Sequence, residues 1–379
     1  MTTLFPNGID TFVNPVATDA LNSGTVPHTS QHDNLNDAVL AIETLLGVNA
    51  TKILPNVAGK NAIINGGMDI WQRGTSNTNT ISTSNFGSDR WQCYSGVAGR
   101  TVTQQPSGLT GFRYCLRFQR DSGNAVATVN YLAQNLETVN SIPLAGQTVT
   151  LSFWARAGAN YSATSNLLGV QLRSGTGTDE NTVTGAYTGL VNVISQNATL
   201  TTLWQRFTFT ATVGATATEL APIFYATPTG TAGVNDYFEI TGIQLELSST
   251  ATTFSRAGGS IGGETVLCQR YLPAFSADLQ TFLASTINTT ATLVAMKFPT
   301  TARVAPTGIT ISSLSHFQTG NSSQSYGTPT AISFDAAGKD MGSVSVSTTA
   351  GSPTLTAGQT AVLRLINPGG YILFTGCEL

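Results

Sequence analysis

The sequence predicts a mainly β protein: an N-terminal arm and short oligomerising helix, a jelly-roll-like β-sandwich, and a second, C-terminal β domain. Three observations carry this expectation. Between about 61 and 254 the apolar residues recur with period two. In TVTLSFWARA, Val149, Leu151, Phe153 and Ala155 share one face, and Thr150, Ser152, Trp154 and Arg156 the other. Gly/Ser/Thr turns separate such runs without a long amphipathic helix between them, which favours antiparallel sheets. Finally, 41% of the chain is hydrophobic while only 10% is charged, against about 25% charged in an average soluble domain. The chain can bury cores, and Thr, Ser, Asn and Gln must carry its solubility.

At 379 residues more than one hydrophobic core is expected. Residues 1–28, dotted with Pro and Asn and free of periodicity, read as an extended anchoring arm. Residues 29–60 hold a helix and linker. There Leu35, Val39, Ile42 and Leu46 form a narrow heptad-like stripe. Ser30 with Asp33 can start the helix and Gly47 can end it. A helix of about 17 residues is marginal alone in water, so its stripe needs partners. A homo-oligomeric coiled coil of three chains supplies them; packing on the chain's own β domain is the alternative.

Residues 61–254 form the expected sandwich. RFTFTATV repeats the alternation with Phe207, Phe209, Ala211 and Val213. DYFEITGIQLELS sets Phe238 and Ile240 inward, then Ile243 and Leu245, and the parity flip at Thr241–Gly242 reads as a β-bulge. SRAGGSIGG, residues 255–263, reads as a flexible Gly-rich linker. Residues 264–379 form the C-terminal β domain, where NPGG (367–370) sits between apolar runs as a hairpin turn.

Composition and motifs narrow the function classes. A pI near 5.6 without Lys/Arg clusters argues against nucleic acid, and Arg113, Arg117 and Arg120 read as one solvated strand face. MTTLFPNGIDTFVN lacks the basic and apolar regions of a secretory signal, and no run of about 18 apolar residues suggests a membrane span. Cys93, Cys115, Cys268 and Cys377 lack metal-ligand spacing. They read as buried thiols, with a Cys93–Cys115 bridge as the alternative. His28 and His32 are four apart, but no carboxylate completes a ligand set, so no metal or cofactor is expected. With three histidines and no GxSxG, HExxH or P-loop, no enzyme is expected. Glu239 and Glu246 share a strand, and the bulge between them leaves their relative facing open.

Sugar binding by a jelly roll needs flat aromatic faces for the apolar side of a pyranose, with amides and carboxylates for its hydroxyls. Trp154 with Arg156, and Tyr225, Tyr237 and Glu239 on the same outward face, are the candidates; packing within layers is the alternative for the same residues. In NAIINGGMDIWQRGTS, Trp71, Gln72 and Arg73 lie between glycines. They read as a structural plug over the sandwich edge, with Arg73 pairing to a carbonyl or to Asp89. Trp91 and Trp204 begin strands and are expected to cap the core.

IINGGMDIWQRG, SDRW, LSFWARA, GIQLELSSTATTFSR and ETVLCQRY, in this order, resemble bacteriophage tail-fibre and related virion appendage proteins with a carbohydrate-binding-module-like β-sandwich. The resemblance covers roughly residues 28–275, and the C-terminal segment more loosely through FPTTARVAPT. It implies a fibre subunit, often a homotrimer, assembled in the host cytoplasm and exposed on the virion as a tail, baseplate, neck or head appendage. The arm would bind other virion proteins. The expected function is a structural fibre subunit contributing to attachment to a bacterial surface glycan. A decoration protein without a receptor is the alternative; a polysaccharide-degrading tail enzyme comes third, because no solenoid period is visible.

Overall fold

A computed structural model describes residues 58–79, 85–276, 280–321, 323 and 325–379, together with Leu35, Asn36, Asp37 and Val39. Those four are helical, with Leu35 and Val39 exposed. Ile42, Leu46, the arm and the two N-terminal histidines lie outside the described residues. The chain divides into two compact units, Met1–Val57 and Ala58–Leu379.

In the second unit, period-two patterning becomes two six-stranded antiparallel sheets. Their strands are β1 (Ser76–Asn79), β2 (Asn85–Phe86), β3 (Gln92–Tyr94), β4 (Arg100–Pro106), β5 (Tyr114–Arg120) and β6 (Asn130–Ala133). They continue with β7 (Thr148–Ala157), β8 (Leu167–Gly175), β9 (Val191–Thr199), β10 (Gln205–Thr212), β11 (Glu219–Ala226) and β12 (Tyr237–Leu247). One sheet runs β1-β4-β5-β12-β7-β10 and the other β2-β3-β6-β11-β8-β9. Successive strands repeatedly cross between the sheets, so each sheet closes over the other. Between them lie Val149, Leu151, Phe153 and Ala155 of β7, together with Phe224 of β11 and Trp91. Phe153 meets Phe224 edge-on at 4.8 Å, a favoured aromatic arrangement that joins the two sheets at mid-core. Trp91 is fully buried in this core, its indole N–H donating to the Asn65 carbonyl.

The parity flip in β12 is a bulge: the register against β7 shifts between Thr241 and Gln244. Gly242 takes φ +63°, and a Cβ there would sit 2.6 Å from Phe112 Cζ and 3.1 Å from Trp154 Cδ1. Both backbone strain and crowding oppose any side chain, so Gly242→Ala is expected to cost about 1–3 kcal/mol, read as a lowered Tm.

The remaining strands are β13 (Ala274–Ser276), β14 (Gln280–Asn288), β15 (Ala291–Lys297), β16 (Gly308–Ile311) and β17 (Phe317–Asn321). After them come β18 (Tyr326–Gly327), β19 (Ala331–Ala337), β20 (Met341–Ser347), β21 (Thr360–Leu365) and β22 (Tyr371–Thr375). They form a seven-stranded sheet, β18-β17-β21-β14-β15-β20-β19, and a three-stranded sheet, β13-β22-β16. A second core lies between them, with Phe298 and Phe374 at 4.9 Å. NPGG is a turn, Gly370 N–H donating to Asn367 O. It is not a hairpin, because β21 and β22 belong to different sheets.

Residues 255–263 are not a flexible linker. Gly59 N–H donates to Ala257 O, Asn61 Nδ2 to Ser255 O, and Ser260 Oγ caps a helix at Ile261–Gln269. The glycines serve close approach: a Cβ on Gly258 would meet the Gly263 backbone at 2.2 Å. The arginines of β5 and its approach are not one solvated face either. Arg120 is buried with Nε 2.8 Å from Asp236, and Arg117 is half-buried against Glu239. All four cysteines are buried and none forms a disulfide; Cys93 and Cys115 lie on different sheets. No described helix is long and apolar enough to cross a membrane.

Candidate functional site

The outward face of the first sheet gathers most of the residues expected to bind sugar. Arg117 of β5, Glu239 of β12 and Arg156 of β7 stand directly opposite one another across three strands. Glu239 is fully buried. One of its oxygens accepts from Arg117 Nε and Nη2 at 2.9 and 2.6 Å, and the other from Arg156 Nε at 2.5 Å. Beyond the arginines lie aromatic rings. Arg117 stacks on Tyr237 at 3.9 Å and Arg156 on Trp204 at 4.7 Å, each a cation–π contact. Trp154 packs beside the Gly242 bulge. These groups satisfy one another, and Glu239, fully buried, presents no oxygen to a sugar hydroxyl. Trp204 does not cap the core: it is half-buried on this outer face, with its indole N–H on Ser107 O. Glu246 is likewise engaged, by Gln244 and Thr252.

Tyr225 does not share this face. It stands on β11 of the second sheet, in a row that sequence inspection misses. Tyr94 of β3 is paired with Tyr131 of β6, Tyr131 with Tyr225, Tyr225 with Gly169 of β8, and Gly169 with Asn197 of β9. Outward side chains in register on adjacent strands necessarily form such a line. The ring centroids are 6.3 and 6.0 Å apart. Tyr225 lies over Gly169, where a Cβ would be 2.2 Å from the ring. All three tyrosines are half-buried, and none of their hydroxyls has a hydrogen-bond partner among the described residues.

Beside Tyr225 opens a cavity of about 210 Å³, floored by Gly169 and walled by Thr164, Asn197, Thr227 and Thr229. No charged side chain lines it. The opposite flank is the 176–190 segment, whose Val183 and Tyr187 pack on Ala133, Ala221 and Ile223 beside the row. Asn135 Oδ1 holds this flank by accepting from Thr182 N–H and Tyr187 O–H at 3.1 and 3.0 Å. The face therefore offers a line of aromatic surface, hydroxyls, an amide and two walls.

Glu219 lies at the base of the flank. One carboxylate oxygen accepts from Glu180 N–H at 2.5 Å; the other is buried without a partner. Burial, then the neighbouring Glu180 and Asp179 carboxylates, push its pKa up to about 7 despite the backbone bond. Its folded pKa thus exceeds the unfolded value near 4.5. The stability contributed by binding this proton is complete below pH 4.5 and lost as pH rises through about 7. Replacing Glu219 with Gln should remove a decline on the order of 1–2 kcal/mol across that window, measured by denaturant unfolding at several pH values.

Trp71, of the expected plug Trp71, Gln72 and Arg73, is partly buried against the sandwich core. Trp71 Nε1 donates to Met68 O at 2.8 Å. Gln72 donates to Asp89 from its backbone and its side chain, and burial pushes the Asp89 pKa up to about 6. Arg73 stands 3.9 Å from Asp89, but its closer partner is Glu378, at 2.8 Å. The plug therefore also joins the sandwich to the C-terminal sheets. Glu378 binds Arg90 with its other oxygen at 2.8 Å. Arg303 holds Glu378 O and Cys377 O, and pairs with Asp179 at 3.1 Å. Arg270 and Tyr271 bind Glu137; burial opposes ionisation of Glu137, and these bonds outweigh it to lower its pKa. Glu378 and Glu137 carried no recognisable sequence signal.

No group of three or more His, Cys, Asp or Glu fit to hold a metal occurs among the described residues. No family model matches the chain, and no curated protein matches it. Among solved structures the chain is similar to a CBM4 module, at 19% identity, covering 48% of this chain and 98% of that one, with a TM-score of 0.32. It is similar to the CBM22-1 xylan-binding domain of Paenibacillus barcinonensis Xyn10C, at 10% identity, covering 51% and 98%, TM-score 0.28. It also resembles the enzymatically active domain of bacteriophage CBA120 tailspike protein 4, at 13% identity, covering 50% of this chain and 22% of that one, TM-score 0.28.

Proposed function

We propose that the chain is a non-enzymatic, glycan-binding structural subunit of a virion fibre or appendage. The observation that carries glycan binding is the open row Tyr94–Tyr131–Tyr225, continued by Gly169 and Asn197. Flat rings spaced along a line suit the apolar faces of successive pyranoses, and the neighbouring threonines and Asn197 suit their hydroxyls. The uncharged cavity beside Tyr225 favours a neutral glycan. Placement on a phage particle, anchoring through the N-terminal arm and assembly as a homotrimer rest on the sequence resemblance and the Leu35–Val39–Ile42–Leu46 stripe. Three copies per fibre would turn weak single-site binding into avidity higher by about 10²–10⁴. The rival proposal, a spacer without a receptor, draws support from the self-satisfied Arg117–Glu239–Arg156 face.

Retention of the full-length protein on immobilised neutral and acidic bacterial polysaccharides, beside Tyr225→Ala, tests the proposal. Retention on a neutral glycan that Tyr225→Ala weakens, with its Tm unchanged, is expected. Retention on none would leave a spacer.

A further inference from the structure

A second cavity, of about 340 Å³, opens where the sandwich meets the C-terminal sheets. One wall is Trp71, Gln72 and Gly74 from the plug; the other is Ser276 of β13, the Gly369–Gly370 turn and Tyr371 of β22. The two walls come from stretches far apart in the chain. The geometry points to this cleft as a second subsite for a neutral sugar ring, and the inference rests on the glycan reading above.

Six features argue for it. The volume falls in the lower part of the roughly 300–1,000 Å³ of small-molecule sites. Its lining contains two aromatic residues and no charged side chain, the same chemistry as the tyrosine row. The groups facing it are fixed: Trp71 Nε1 is held by Met68 O, and the Gln72 amide by Asp89 and Gln269. A ring held in this way binds without losing side-chain freedom. By contrast, the hydroxyls of Ser276 and Tyr371 have no hydrogen-bond partner among the described residues and remain available to a ligand. The walls are clamped by the ion pair between Arg73, two residues after Trp71, and Glu378. Glycines at 369 and 370 keep the turn low, leaving backbone rather than side chains at the mouth.

The cleft and the row are separable by substitution in the full-length chain. The probes are neutral tetrasaccharides: β-1,4-glucan, β-1,4-xylan, β-1,4-galactan and α-1,4-glucan. Calorimetry gives the stoichiometry, and tryptophan emission reports the cleft, because Trp71 lines it. Wild type should bind one of these probes at two sites per chain with an emission change. Tyr225→Ala should keep one site and the emission change. Tyr371→Ala should keep one site and lose the emission change, as should Trp71→Phe with its circular dichroism unaltered. A single site lost in Tyr371→Ala but kept in Tyr225→Ala would support the cleft and overturn the row. A single site lost in Tyr225→Ala and untouched by Tyr371→Ala or Trp71→Phe would overturn the cleft alone. Binding of no probe would overturn both.

Discussion

Glu378→Ala is expected to loosen the joint between the sandwich and the C-terminal sheets and to lower the Tm by roughly 5–10 °C. The reason is what the change leaves behind. Glu378 neutralises Arg90, whose side chain is 1% exposed, and Arg73, which is 20% exposed. Removing one partner of a buried pair strands the other charge, typically at about 3–5 kcal/mol. Arg90 keeps its bond to Asn135 O and its stacking on Tyr271 at 3.5 Å, but neither supplies a counter-charge. Glu378→Gln should cost less, because its amide can still accept from one arginine. Scanning calorimetry of the three proteins checks this. A shift under about 1 °C for Glu378→Ala would mean that the joint is held elsewhere.

Tyr131→Ala is expected to weaken glycan binding along the row at least as much as Tyr225→Ala does. Tyr131 is the middle ring, touching Tyr94 at 6.3 Å and Tyr225 at 6.0 Å. Truncating it removes its own surface and the lateral support of both neighbours. Central aromatic residues of binding surfaces commonly contribute about 2 kcal/mol or more, which is roughly 30-fold in Kd. Its half-burial on the sheet surface means that the two cores survive the change. Tyr237→Ala, on the other sheet, should leave the affinity unaltered, although Arg117 loses its stacking partner. Titration of the three proteins with the same oligosaccharide separates these outcomes.

Much of the architecture was legible because strand patterning is local. Period-two alternation in β7, β10 and β12 told the inward face from the outward one, and a parity flip beside a glycine located the bulge. The helix at Ile261–Gln269 was missed because glycines in SRAGGSIGG read equally as flexibility or as close backbone approach, and only the tertiary partner decides. The site was less legible. Trp154, Arg156, Tyr237 and Glu239 were conspicuous in one strand or two, yet the fold uses Glu239 to bind arginines. Tyr94, Tyr131 and Tyr225 each sit alone in short segments, and cross-strand register is what lines them up. The outward parity of each, beside inward Cys93, Leu132 and Phe224, is the one local hint. Glu378 gave no warning, since its role depends on arginines about 300 residues away.

The central claim is that a neutral glycan lies along the tyrosine row. Ring-labelled tyrosine NMR of the full-length protein, titrated with a bound neutral oligosaccharide and assigned by single Tyr→Phe variants, tests it most directly. The signals of Tyr94, Tyr131 and Tyr225 are expected to shift together with one saturation curve, while Tyr114 and Tyr237 on the opposite sheet stay in place. Shifts at Tyr114 and Tyr237 with the row unmoved would contradict the account.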